Sequence, residues 1–364
     1  MYYRNILIHL SLILVSGSIP TYILLFLMLE ILEYRFNIKI WSQQERTSNC
    51  YDWFEHYLPQ NYDKDLNKDY SESLFDGNSG LTIEAATLRK FDYIFRELNL
   101  SEGQTLLDCG CGTGVWMLYC KGRGVNVVGL TLSKEQAQIV KSKGLDARVQ
   151  DYREYLPSFQ SYFDAISLIG STEHTCLSQG ALTGDSTCCD RCIADRIKLF
   201  KMLKGYLKTN GKMFISGLVK NSKRTPAYTD MFYNYILERH YGGYYSYYED
   251  YIKALEASGL HIISSKDTTK DYFWTSVRCP DHFGYFCINM KQNVADKIIY
   301  FVKGLFTDPF LWHHFIYHIS NAWMWQFGGY KKQYLTDEDV QRSPMHNKYF
   351  TLGAHGDSGT LRRS

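Results

Sequence analysis

The sequence carries no excess of charge of either sign. Its 40 Lys and Arg against 38 Asp and Glu leave a formal net charge of +2, and no clustered basic face stands out. A nucleic-acid partner is therefore not expected. There is no disulfide framework of the kind that staples small secreted domains, because the 10 Cys are scattered through strands and loops. Half of a zinc site is also missing. Cys189 and Cys192 form a CxxC with Cys176 and Cys188 close by in sequence, but structural zinc sites pair two such knuckles. Reduced thiols that bind no metal are the expectation.

Aromatic residues are plentiful: 30 Tyr, 20 Phe and 7 Trp in 364 residues. They serve either a large aromatic core or an amphipathic surface that meets lipid. An uncharged apolar run extends from Ile6 to Leu29, long enough for a bilayer, which takes about 20 residues. Ser16-Gly17-Ser18 could end a signal peptide, but apolar residues resume after Pro20, which favours an uncleaved anchor or a hairpin that dips into one leaflet. Near the other end, the stretch from Ile298 to Trp325 is aromatic and apolar, with Trp312, Trp323 and Trp325. It reads as an interfacial helix, with a helix docked on the core as the other reading.

Between these lies alternating strand and helix signal. Apolar positions Ile83, Ala86, Leu88, Phe91, Ile94, Phe95 and Leu98 share one helical face. Thr105–Asp108, Val125–Leu130, Ala147–Gln150, Phe163–Ile169, Lys212–Leu218, His261–Ser265 and Tyr285–Met290 read as strands. Val115–Lys121, Lys134–Lys143 and Asp195–Leu207 read as helices, with Ser133 a helix cap. The expected class is α/β: a doubly wound, mostly parallel, seven-stranded Rossmann-like sheet with an N-terminal membrane segment and a helical lid. The divisions are 1–40 as anchor, 41–104 as a helical cap, 105–290 as the core with a Tyr-rich lid at about 222–258, and 291–364 as the aromatic tail.

The chemistry-bearing motif is Asp108-Cys109-Gly110-Cys111-Gly112-Thr113-Gly114, a glycine-rich turn between a strand and a helix. Glycines there let a ligand approach the backbone. A lone GxGxG also fits a dinucleotide fold or a plain tight turn. Three features favour S-adenosylmethionine. Asp108 stands at the strand end, where a carboxylate can meet an amino group. The spacing is GxGxG rather than GxGxxG. The second strand ends Gly129-Leu130-Thr131-Leu132-Ser133, without the acid that grips an NAD ribose.

These residues also resemble the cyclopropane-fatty-acid synthase class, which includes the mycolic acid methyltransferases. The likeness rests on the Asp108 turn, on Val127-Val128-Gly129-Leu130-Thr131-Leu132-Ser133-Lys134-Glu135-Gln136, on Asp151-Tyr152-Arg153, on Ser171-Thr172-Glu173-His174, and on Tyr51-Asp52 and Tyr70-Ser71 upstream. It spans roughly Tyr51 to Met290. The resemblance implies that Tyr70, Ser71, Gly110, Thr131 and Gln136 contact the cofactor and that Tyr152 lies near the adenine. Asp108, Gly112, Gly114 and Asp151 complete the expected cofactor set. Thr131 and Gln136 offer neutral groups for ribose hydroxyls.

The family adds a methyl group to the π bond of an unsaturated acyl chain, and uses a bicarbonate held by Cys, Glu, His and Tyr as base. Here Glu173 matches that Glu, while Glu72 replaces the Cys and Ser216 the His. The Tyr position falls near Asp267, with Tyr272 as substitute. Acids repel bicarbonate, so Glu72, Glu173 or Asp267 is expected to act as the base itself or to steady a cation. Glu173, His174 and Glu72 are the catalytic candidates. The resulting expectation is a membrane-anchored lipid C-methyltransferase, its catalytic domain facing the cytosol and its substrate an unsaturated acyl or sphingoid chain. An N-methyltransferase of an amine or lipid headgroup is one alternative. A membrane protein that binds the cofactor without turnover is another.

Overall fold

The computed structural model describes residues 42–57, 69–176, 187–221, 242–278, 336–343, 345–354 and 362–363. The Ile6–Leu29 run, the 222–241 part of the lid, Tyr285–Met290 and Ile298–Trp325 lie outside them. Among the described residues no helix is long and apolar enough to cross a membrane.

Helix α1 (Gln43–Tyr57) and α2 (Ile83–Glu97) precede the sheet. Thr82 caps α2 by accepting from the Ala85 amide at 3.2 Å. The strands are β1 (Thr105–Cys109), β2 (Asn126–Thr131), β3 (Asp146–Val149), β4 (Phe163–Ile169), β5 (Leu207–Lys220), β6 (His261–Asp267), β7 (Met345–Gly353) and the two-residue β8 (Arg362–Arg363). Between them run α3 (Val115–Lys121), α4 (Lys134–Ser142), α5 (Thr187–Tyr206), α6 (Tyr248–Ala257), α7 (Thr269–Arg278) and α8 (Asp337–Arg342). The sheet order is β3-β2-β1-β4-β5-β7-β6-β8. Strands β1 to β6 overlap expected ones, β7 fills a place in the sheet that no expected strand occupied, and β8 adds a short edge. All pairings are parallel except those of β7, which runs antiparallel to both β5 and β6. The reading of residues 345–353 as tail is corrected here: they are a central strand.

Alternation along the strands explains the two layers. Leu106, Ala165 and Phe214 pack with Phe91, Ile94 and Trp116 beneath α2 and α3. Leu107, Ile166 and Ile215 face the other way, against Phe200 and Leu203 of α5 and Leu255 of α6. Chain order reverses between β1 and β4, which opens a crevice above their carboxyl ends.

One turn above that edge is packed very closely. Residues Thr172–Thr175 form a single 3-10 turn after β4. A Cβ on Gly217 of β5 would stand 2.0 Å from the Thr172 hydroxyl oxygen. Gly217→Ala is therefore expected to lower stability by about 1–3 kcal/mol, read as a lower urea midpoint. An unchanged midpoint would show that the turn yields freely.

Candidate active site

A cavity of about 970 Å³, its open mouth included, occupies this switch point. Its lining includes Tyr70, Ser71, Asp108, Gly110, Gly112, Thr131, Gln136, Asp151, Tyr152 and His174, so most of the residues singled out from sequence stand around one space. Gly114 does not line it. It caps α3 with φ 78°, and a Cβ there would press on Val140 at 2.9 Å. Gly110 has φ 86°, and its Cβ would meet that of Ser171 at 2.7 Å. Backbone here passes where a side chain cannot, which is the cradle a ligand requires.

Asp108 is buried at the end of β1 and accepts from the Ser167 hydroxyl at 2.8 Å. Burial pushes its carboxyl up to about 7, against the lowering effect of Ser167, and Asp69 adds to the rise. A cationic group in the cavity would relieve that cost. Across the cavity, Thr131 donates to the Gln136 side-chain oxygen at 3.0 Å. The Gln136 side-chain amide donates to Glu55 of α1 at 3.3 Å, and Tyr70 donates to the same oxygen at 2.9 Å. The acid absent from the end of β2 is thus supplied from another element. Ser133 does cap α4, accepting from the Gln136 amide at 3.0 Å, and also donates to Asp52 at 2.5 Å.

Asp151 forms a buried ion pair with Arg153 at 2.6 Å and accepts from Gln44 of α1 at 2.7 Å. Burial alone would raise its carboxyl, but the Arg153 guanidinium outweighs burial and holds it below the usual range. Arg153 also reaches the His174 carbonyl at 3.1 Å. Tyr152 spends its hydroxyl on the Ser171 carbonyl at 2.8 Å, so it offers the cavity a ring rather than a donor. His174 Nε2 meets the Tyr51 hydroxyl at 3.0 Å. Helix α1 thereby straps the open end of the sheet. Sequence reading had anticipated only capping helices and loops there.

Glu72 and Glu173 lie just behind this wall, one residue from the lining residues Ser71 and His174. Glu173 Oε1 accepts from the Leu218 amide at 2.8 Å, while its Oε2 is buried with no hydrogen-bond partner. Glu72 is buried as well, and its Oε1 also lacks a partner. Burial raises both carboxyls above the ordinary glutamate range; Lys90 opposes the rise in Glu72, and Glu72 itself adds to the rise in Glu173. Asn347 and Tyr349 of β7 stand beside Glu72. In register, Ser216 faces Tyr349 and Leu218 faces Asn347, so the two acids converge over neighbouring strands.

Two expectations need correction. Asp267 is no base for this site. It is paired with Lys348 at 2.6 Å and His346 at 3.1 Å, and these partners, overriding its burial, hold it well below the usual carboxylate range. The tyrosine beside Glu72 is Tyr349 of β7, distant in sequence from Asp267 but paired in the sheet with the adjacent Lys266. Ser216 is buried and accepts from the Gly170 amide at 3.1 Å, a structural bond. Of the cysteines, Cys176 and Cys192 are buried and pack with Tyr244, and the side chains of Cys188 and Cys189 lie outside the described residues.

A doubly wound sheet, a glycine cradle beneath its switch point and a strand-end acid define a Rossmann-like methyltransferase fold. The chain belongs to the mycolic acid cyclopropane synthetase family, whose model matches residues 39–299. Among relatives, it is 42% identical over 105 residues to a probable fatty acid methyltransferase of Mycobacterium tuberculosis, covering 27% of this chain and 24% of that one. It is 36% identical over 115 residues to cyclopropane mycolic acid synthase 1 of the same species, covering 30% and 40%. The matched stretches thus span well under half the length of these relatives. The structure of the cyclopropane synthase MmaA2 from M. tuberculosis superposes with a TM-score of 0.61 at 20% identity, covering 86% of this chain and 99% of that one. That of CmaA1 complexed with SAH and CTAB gives 0.60 at 19%, covering 85% and 97%. At these identities the structures speak for the fold.

Proposed function

We propose that the protein is an S-adenosylmethionine-dependent C-methyltransferase that acts on a lipid carrying an unsaturated acyl or sphingoid chain. The observation that carries this reading is the glycine-lined cavity at the switch point, backed by two buried, incompletely bonded carboxylates. Bound S-adenosylmethionine would supply an electrophilic methyl group. Asp108 would receive the cofactor's amino group, Gly110 and Gly112 would give backbone room, and the Thr131–Gln136 wall would meet the ribose. Tyr70 and Ser71 would close the side nearest α2, and the Tyr152 ring and Asp151 would border the base. Glu173, with Glu72 beside it, would accept the proton lost after an alkene carbon is methylated, or balance the cation formed there. His174, tethered to Tyr51, would hold the turn that carries Glu173.

The lipid assignment draws on family membership and on the names of relatives, which include fatty acid methyltransferases. The Ile6–Leu29 run would carry the protein on a membrane, with the catalytic domain on the cytosolic side, where the cofactor is made. The test is to incubate membranes containing the full chain with methyl-labelled S-adenosylmethionine and analyse extracted lipids by mass spectrometry. Gain of one CH₂ on a chain that keeps its double bond is the expected result. A ring in place of the double bond would shift the reading to cyclopropanation. Label on a headgroup nitrogen, or none in lipid, would overturn it.

A further inference from the structure

Lys90 of α2 has no solvent exposure, and it sits where the cofactor wall and the acid pair meet. Its ammonium forms an ion pair with Asp69, whose side chain is 15% exposed, and donates to the Ser71 hydroxyl at 2.6 Å. The other Asp69 oxygen accepts from the Ser71 amide at 3.1 Å and the Ser71 hydroxyl at 2.7 Å. Asp69, Tyr70 and Ser71 all line the cavity. The next residue is Glu72. A buried lysine is expensive unless it is paired and its donors are used. This one spends its bonds on a three-residue stretch that borders the cofactor, and no sequence motif marked either it or Asp69.

We propose that Lys90 is a positioning residue shared by both halves of the site: through Asp69 and Ser71 it fixes the wall against the cofactor, and its charge balances the Glu72–Glu173 acid pair. Among the described residues, the groups that act on Glu72 are Lys90 from α2, Asn347 and Tyr349 from β7 and Glu173 from the turn after β4, while Asp69 is ion-paired with Lys90 and also acts on Tyr349. Asp271 of α7 lies near Tyr349. Arg196 of α5 favours the charged form of Glu173, against the effect of burial. Among these, Lys90 is the cation that acts on Glu72. Asp69, ion-paired with Lys90, offsets that positive charge. Losing Lys90 and losing Asp69 must therefore move Glu72 in opposite directions, whereas a general loosening of the fold would move both the same way.

This role rests on the methyltransferase reading, but it can be tested without turnover. Glu72 is raised by burial, so it costs no stability at low pH and progressively more as pH rises through its folded value. The gain in melting temperature from Glu72→Gln therefore grows with pH and levels off above the Glu72 midpoint. That curve is to be measured in the wild-type, Lys90→Met, Lys90→Arg and Asp69→Asn backgrounds, alongside calorimetric binding of S-adenosylhomocysteine. Lys90→Met should shift the midpoint up by roughly one pH unit, a tenfold change in proton affinity, and weaken ligand binding severalfold. Asp69→Asn should shift the midpoint down, and Lys90→Arg should stay near wild type. If Lys90→Met does not fold, the downward shift in Asp69→Asn decides the matter. Unmoved midpoints, or shifts of the same sign, would overturn the proposal. A wild-type chain that binds no S-adenosylhomocysteine would instead overturn the methyltransferase reading and leave the Glu72 curves interpretable.

Discussion

Replacing Asp108 by Asn is expected to stabilise the ligand-free protein and, in the same molecule, to cripple cofactor binding. The carboxyl is buried and pushed up from an ordinary 3.8 to about 7. A group raised in this way costs nothing below its unfolded value and its full penalty only above its folded one. The penalty accordingly appears between about pH 4 and pH 7 and approaches roughly 4 kcal/mol beyond that window. Asn fits the same space and its side-chain oxygen can still accept from Ser167. Its melting temperature should match wild type near pH 4 and exceed it by several degrees at pH 8. Cofactor affinity should fall by about 100-fold, because a buried carboxylate that meets an ammonium is lost. Calorimetry and thermal melts at both pH values read the two effects. Equal affinity would remove Asp108 from the cofactor set.

Glu173→Gln tests the chemistry. Gln keeps an oxygen for the Leu218 amide, so the turn should stay in place. The variant should retain cofactor affinity while turnover falls about 100- to 1,000-fold, the range expected for loss of a general base. Glu72→Gln should reduce turnover as well, and the double variant should be little slower than Glu173→Gln alone if the two acids work as one unit. The acid limb of the turnover profile should lie above the ordinary glutamate range, because burial raises both groups. Full turnover in Glu173→Gln would assign the proton to another group.

How far the sequence discloses this arrangement depends on how local each signal is. Strand β4 and helix α3 lie at their expected bounds, since each is an apolar segment with turn residues at its ends. The glycine turn at the cavity was legible because Gly110 and Gly112 adopt positive φ, a backbone job that no other residue does as easily. Helix α5 starts earlier than expected, and β5 extends on both sides. Asn210-Gly211, just ahead of the expected strand, lies within β5, with Asn210 at φ 65°. Tyr349 and Asn347 could not be placed from sequence, because they reach Glu72 only through pairing with a strand far away in the chain. Lys90 was hidden by its type. A lysine on an amphipathic helix is ordinarily read as solvated, and only the fold shows it wholly enclosed.

The position of β7 bears on how the molecule is built. During synthesis, β5 and β6 emerge well before Met345–Gly353, yet those residues must later slide between them. Until then two strand edges stand open side by side, each a template for any passing strand. Tyr349 and Asn347 arrive with that insertion, so the acid pair gains these neighbours only after β5 and β6 have been made. A ribosome stalled before Met345 would leave a sheet whose vacant slot invites the corresponding strand of another copy, and strand exchange between nascent chains is the hazard this order of assembly creates.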